Sequence, residues 1–173
     1  AYSDQAGQHW VPFEEGFSRA KAAANRAIDL EPALAEAHVA LGWVQRAVDW
    51  DWKGAEASFQ RALELAPGSV LAMNAAANLL GTLGRLDEAM ELSRRATTLD
   101  PLNVPVHRNL ALYCLPGKES QAPGAVLSNV LEMSPQGGLT YCWLGVLALA
   151  HGRPEEAVDL MHREVTEIFR LVG

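Results

Sequence analysis

The chain has 173 residues, 49% hydrophobic and 20% charged, a balance that excludes disorder and suits one domain or an array of small units sharing a core. Fourteen Lys and Arg against 21 Asp and Glu leave a net charge of −7 with no basic cluster, which argues against nucleic acid or an anionic membrane as the main partner. The two cysteines, Cys114 and Cys142, make neither a disulfide framework nor a four-ligand metal site.

Alanine and leucine outweigh valine and isoleucine, as expected of closely packed helices. The start, Ala1-Tyr2-Ser3-Asp4-Gln5, has no basic segment followed by an apolar one, so no leader is expected and the cytoplasm is the expected location. The first predicted helix, 14–31, reads as the remnant of a broken hairpin. Paired helices follow over 33–49 and 53–66, 69–83 and 86–99, 103–115 and 122–134, then 137–151 and 154–164. The longest apolar run, Leu139 to Ala150, is too short for a bilayer, which needs about 20 residues. The end, Phe169-Arg170-Leu171-Val172-Gly173, stops inside an apolar pattern, and both termini read as cuts in a longer polypeptide.

A period organises these helices. Pro32, Pro67, Pro101 and Pro135 are 35, 34 and 34 residues apart, each closing a helical phrase such as Ala62-Leu63-Glu64-Leu65-Ala66-Pro67. Small residues Gly42, Ala77, Ala111 and Gly145 repeat the same intervals, as does the series Ala20, Ala55, Ala89, Pro123 and Ala157. Such a period means one helical hairpin per unit, with small residues where the two helices cross and proline after the second helix. Gly84 and Gly152 fall between helices, where a left-handed residue commonly ends the first. The units are 33–67, 68–101, 102–135 and 136–164, after a partial unit at 1–32, with 165–173 starting a further element. A lone hairpin cannot bury its apolar face, so the units stack.

On these residues the chain resembles the tetratricopeptide repeat family. The second unit carries His38, Leu41, Gly42, Ala55, Phe59, Ala62 and Pro67 at the family's spacing. Met73, Ala76, Ala77, Leu80, Ala89, Ala96 and Pro101 follow in the third, and Tyr141, Leu144, Gly145, Ala157 and Met161 in the last. The resemblance covers roughly 14–163 and implies an all-α, right-handed solenoid of stacked hairpins. Phrases such as Trp50-Asp51-Trp52-Lys53-Gly54-Ala55 are similar to arrays attached to bacterial signalling and regulatory proteins. Departures are the Pro123-Gly124 start of one second helix, the longer loop at Leu115-Pro116-Gly117-Lys118, and Glu164 in place of a small residue.

Catalytic signatures are missing from the sequence. The five histidines show no zinc-ligand spacing, and His38 and His107, which share a repeat position with Met73 and Tyr141, read as packed, hydrogen-bonded helix residues. Pro116-Gly117-Lys118-Glu119 lacks the earlier glycine and following hydroxyl of a phosphate loop. Asp87-Glu88 and Glu155-Glu156 suit helix N-termini, where the dipole favours carboxylates. Both cysteines read as small core residues. The expectation is a non-enzyme without cofactor or metal.

The resemblance implies that first helices line a concave groove. Projection from the crossing residues then selects Val39, Trp43 and Arg46 in the first complete unit, and Asn74 and Asn78 in the next. Arg108, Asn109 and Leu112 follow, then Cys142 and Val146. Asn74 and Asn78 share a helix face and can exchange hydrogen bonds with any peptide backbone. Arg108 offers a carboxylate contact and Trp43 an apolar anchor. Val39 and Trp43 stand where a chaperone-tail clamp wants Lys and Asn, so that subtype is not expected. Trp50 and Trp52 flank a one-residue insertion and are expected to wedge the hairpin. A protein or peptide partner is expected. The alternative is an intramolecular regulatory or self-association module, including a homodimer through the cut ends.

Overall fold

The computed structural model describes residues 13–114, 123–134 and 140–172, and every regular element among them is helical. In chain order these are α1 (Phe13–Leu30), α2 (Ala35–Val44), a π-helical turn (Gln45–Asp49), α3 (Trp52–Leu65), α4 (Val70–Thr82) and α5 (Leu86–Leu99). Next come α6 (Val104–Cys114), α7 (Pro123–Met133), α8 (Thr140–Ala150) and α9 (Pro154–Val172). Each lies within a few residues of its prediction except α9, predicted over 154–164, which runs eight residues further. The chain divides into two compact units, Ala1–Leu92 and Ser93–Gly173.

In the first unit α1 packs on α2, α2 on α3, α3 on α4, and α2 runs beside α4. The core is mostly alanine, with Ala55, Ala62, Ala72 and Ala75 surrounding Phe59, Val39 and Leu79. Alanine allows the backbones to approach closely enough for one aromatic ring to fill the remaining space. Gly42 marks the closest approach: a Cβ there would lie 2.5 Å from the Phe59 ring. The short turns between units are capped in register. Ser69 Oγ accepts from the Ala72 N–H (3.2 Å), two residues after Pro67. Asn103 stands equally placed behind Pro101, in the second unit, and its Oδ1 accepts from the Val106 N–H (3.3 Å). A side-chain cap of this kind satisfies an N–H that the helix itself leaves unpaired.

The hairpin tips explain the irregular period. At the end of α4, Gly84 has φ +77°, Arg85 N–H donates to Leu80 O and Gly84 N–H to Gly81 O. This is the glycine-closed helix end in which bonds spanning five and three residues satisfy the last carbonyls. Gly152 (φ +70°) repeats it after α8 in the second unit. In the first hairpin Trp50 takes the left-handed position (φ 55°), and Asp51 N–H reaches Gln45 O, six residues back. Gly42 to Ala77 spans 35 residues but Trp50 to Gly84 spans 34, so the extra residue lies between Gly42 and Trp50. The π-turn absorbs it.

Trp50 is therefore no wedge, contrary to the sequence expectation. It is 69% exposed, with its ring 6.0 Å from that of Trp52, and Trp52 alone packs against the core. A left-handed non-glycine residue costs roughly 1–2 kcal/mol. Trp50→Gly should accordingly leave stability unchanged or raise it by up to about 1 kcal/mol. A loss above that figure in urea unfolding would mean that the exposed ring contributes more than its backbone costs.

Arg85 ties the tip of the second hairpin to the first. Its guanidinium donates to both oxygens of Glu88 (2.7 and 2.6 Å) and to Glu56 on α3. The hydrogen bonds from Arg85 hold the Glu88 carboxyl below its usual range. Because the folded value is lowered, the contribution is present above the ordinary carboxylate pKa and is lost as pH falls through the lowered value. Arg85→Ala should reduce the melting temperature at pH 7, with the gap to the parent closing on acidification. All three groups are solvent-facing, so the effect is small. A gap independent of pH would assign the loss to packing.

In the second unit α6 packs on α7, α7 on α8, and α8 most extensively on α9. Val106, Leu110, Ala111, Leu127, Val130 and Ala148 are buried. Pro123 occupies the first turn of α7, where its missing N–H has no helical partner to lose. Glu164 is buried, and its Oε2 accepts from the Cys142 N–H (3.2 Å) in the first turn of α8. A carboxylate thus replaces a small residue because it closes the N-terminus of the neighbouring helix, where the dipole favours negative charge. Helix α9 runs unbroken to Val172. The longer loop at 115–118, Pro135, His9 and Trp10 lie outside the described residues.

Candidate protein-interaction face

The histidines resolve simply. His38 and His107 sit at equivalent points of their hairpins, and each ring Nε2 pairs with a proline carbonyl six residues back, Pro32 O at 3.0 Å and Pro101 O at 2.9 Å. They close the turn between units. Among the described residues, no three His, Cys, Asp or Glu side chains gather as metal ligands would, and no helix is long and apolar enough to cross a membrane. Cys114 and Cys142 form no disulfide; the first is buried and the second half-buried.

In the first unit the predicted groove residues separate into core and face. Val39 is 3% exposed and belongs to the hydrophobic cluster, so it supplies packing and no accessible surface. Trp43 does both: its ring meets Phe59 edge-on (centroids 5.6 Å apart, 68° between planes) and it remains half-buried. The Arg46 guanidinium lies over that ring, 5.3 Å from its centroid. Arg46 Nη2 also donates to Thr82 Oγ1 (3.1 Å), and Thr82 Oγ1 donates to the Asn78 carbonyl (2.8 Å). Trp43, Arg46, Thr82 and Asn78 thereby form one linked row across α2, the π-turn and α4. Asn74 and Asn78 are half-buried one turn apart, and Asn78 Oδ1 is shielded from solvent with no hydrogen-bond partner. Thr82 escaped the sequence reading, although it stands four residues after Asn78 on the same helix face.

In the second unit Arg108, Asn109 and Leu112 are half-buried on α6. Cys142 is half-buried on α8, while Val146 is 37% exposed one turn further on. Position therefore matters more than residue class. Val39, Asn74, Arg108 and Cys142 share one repeat position, yet burial falls sharply after the first of them.

Comparison with known proteins bears on the fold. A family model described as tetratricopeptide repeat matches residues 51–104. No curated protein matches the chain at a significant level. Among solved structures, the chain is similar to pilF of Pseudomonas aeruginosa (20% identity, 96% of this chain and 74% of that chain covered, TM-score 0.77). It is also similar to TTC0263, a thermophilic tetratricopeptide repeat protein of Thermus thermophilus (17% identity, 96% and 89% covered, TM-score 0.78). A third is YrrB, described as a tetratricopeptide repeat protein with an unusual peptide-binding site (18% identity, 96% and 84% covered, TM-score 0.66). At these identities the likeness carries the fold. A tetratricopeptide repeat is thus matched at residues 51–104, and the chain shares the all-helical fold of solved tetratricopeptide repeat proteins.

Proposed function

We propose that this chain is a non-catalytic scaffold whose first helices bind a peptide or a protein surface. The fold is that of protein-interaction scaffolds, and the observation that carries the reading is the row Trp43, Arg46, Thr82 and Asn78 with Asn74 beside it. It combines an aromatic anchor, a held cation and amides on adjacent helices. Asn78 Oδ1 has no partner to give up, so turning toward an incoming peptide N–H costs that oxygen no hydrogen bond. In the second unit Arg108, Asn109, Leu112, Cys142 and Val146 are proposed separately as partner-binding residues. The parent protein is proposed to be a larger signalling or regulatory polypeptide.

The test is affinity capture from native cell extract with the parent chain, Asn74→Ala/Asn78→Ala and Arg108→Ala in parallel, helicity being checked for each. A partner retained by the parent and lost by either variant supports the scaffold. Identical capture by all three refutes the assigned face. A second reading, self-association, is favoured by the exposed Val146 and Leu149 on α8 and Val158 on α9. It requires a mass that rises with concentration in sedimentation and falls back on Leu149→Lys.

A further inference from the structure

We infer that the tip of the α2–α3 hairpin, at Trp50, is a second contact surface of the first unit and receives an arginine side chain of a partner protein on its exposed indole. Trp50 is no part of the row on α2 and α4, so the inference goes beyond the scaffold reading and holds apart from it.

The first argument is the backbone. Two other hairpin ends give the left-handed position to glycine, Gly84 at φ +77° and Gly152 at φ +70°. Trp50 takes it at φ 55°, the non-glycine residue with positive φ among those described. A bulky residue in this region is an outlier, and backbone strain of this kind clusters at active sites and ligand clamps. The same residue ends a π-turn, a rare element found frequently at functional sites. The fold gains little from the ring, which is 69% exposed while its neighbour Trp52 packs against the core.

The second argument is the chemistry of the ring. The face of an indole is the negative pole of a quadrupole and attracts a cation within about 6 Å. Trp43, earlier in the same hairpin, already has its cation, the Arg46 guanidinium at 5.3 Å from the ring centroid. Trp50 instead meets Trp52, with centroids 6.0 Å apart and planes inclined by 58°, which steadies the ring and leaves most of it to solvent.

Charge then selects the ligand. Residues Ala1–Leu92 hold thirteen Asp and Glu against seven Lys and Arg, whereas Ser93–Gly173 hold eight against seven. The acidity of the chain therefore belongs to the first unit. Its hairpin tips repeat the excess: 49–56 and 85–88 together hold five Asp and Glu and two Lys and Arg. Lys21, which reaches this end from α1, is taken up by Asp49 (2.6 Å), and Arg85 is held between Glu56 and Glu88. Asp51, next to Trp50, caps α3 through the Gly54 N–H (2.9 Å), and a carboxylate has further acceptor sites for an incoming guanidinium. An acidic tip with an open indole suits a cation and repels an acidic segment. Arginine fits better than lysine, because its planar, weakly hydrated guanidinium stacks on an aromatic face.

The experiment selects random dodecapeptides on the full 173-residue chain and discards those that also bind Trp50→Gly, whose stability should match or exceed the parent's. The retained peptides should be enriched in arginine, and fluorescence anisotropy should show them bound about tenfold more weakly by Trp50→Gly. Replacing the peptide's arginine by methionine should weaken binding about fivefold on the parent and hardly at all on Trp50→Leu. That coupling separates a cation on the ring from plain apolar contact. Trp50→Phe should keep the arginine preference with reduced affinity, and Asn74→Ala/Asn78→Ala should bind the same peptides as the parent does. Finding no peptide that depends on Trp50 overturns the inference, as does a retained set rich in proline or apolar residues without arginine. An equal loss from the methionine peptide on parent and Trp50→Leu also overturns it. Weakening on Asn74→Ala/Asn78→Ala overturns the tip as a separate surface.

Discussion

Phe59→Ala is expected to destabilise the first unit by about 3–5 kcal/mol, the usual cost of emptying an aromatic site in a tight core. Phe59 is 1% exposed, sits within a cluster made otherwise largely of alanines, and supports Trp43 through an edge-on contact at 5.6 Å. Alanine neighbours have no long side chains to swing into the space, so the cavity stays open and the cost lies at the upper end. Trp43 would also lose its support, and with it the stacked position of Arg46. Urea unfolding followed by tryptophan fluorescence reads this directly, because Trp43 and Trp52 both pack at this core. A loss under about 1 kcal/mol would show that the alanine shell collapses and that Phe59 does not organise the unit.

Gly42→Ala should be the second large effect, and its sign runs against helix propensity. In an open helix the change gains about 0.8–1.0 kcal/mol. Here the added Cβ falls 2.5 Å from one Phe59 ring atom and 2.7 Å from another, closer than real contacts come, and the buried ring also meets Trp43 edge-on. Overpacking of this kind costs roughly 1–3 kcal/mol, so the net change is destabilising. Gly145→Ala at the equivalent position meets Met161 at 3.1 and 3.2 Å and the Ala157 carbonyl at 3.2 Å. Methionine bends where phenylalanine cannot, so that substitution should cost clearly less. Shortening the ring in Gly42→Ala/Phe59→Leu should recover some of the loss, giving non-additive stabilities in a double-mutant cycle. Additive values would mean that the two positions do not meet as described.

These two expectations expose a rule of the array. The glycines at the crossing position, Gly42 and Gly145, lie against the bulky Phe59 and flexible Met161. Where the crossing residue is Ala77 or Ala111, the position matching Phe59 holds Ser93 or Leu127. Volume lost on one helix is regained on its partner, as close packing requires.

Much of this was legible in the amino-acid sequence. Helix positions followed from the spacing of Pro32, Pro67 and Pro101, and from small residues recurring at Gly42, Ala77 and Ala111. Asn74, Asn78 and Trp43 were selected as groove candidates by projecting outward from those crossings, and all three are half-buried. That projection gives direction around the helix axis, and at Val39 direction alone was insufficient, because depth depends on the neighbouring helix. Trp50 was misplaced for a related reason. A tryptophan beside an insertion looks like packing material until the π-turn swings it to solvent in the left-handed position.

By itself, then, the sequence determined the hairpin repeat and the glycine turns at Gly84 and Gly152, since hydrogen bonds within helices and turns join residues at most a few positions apart. Only the tertiary structure decided that Thr82 orients Arg46, that Glu164 closes the N-terminus of α8, and that the 35th residue is stored between Gln45 and Asp49. Each of these depends on atoms from different turns or helices meeting at hydrogen-bond distance. A shift of one residue along either helix swings a side chain by about 100° and removes the contact, which no period of 34 can encode.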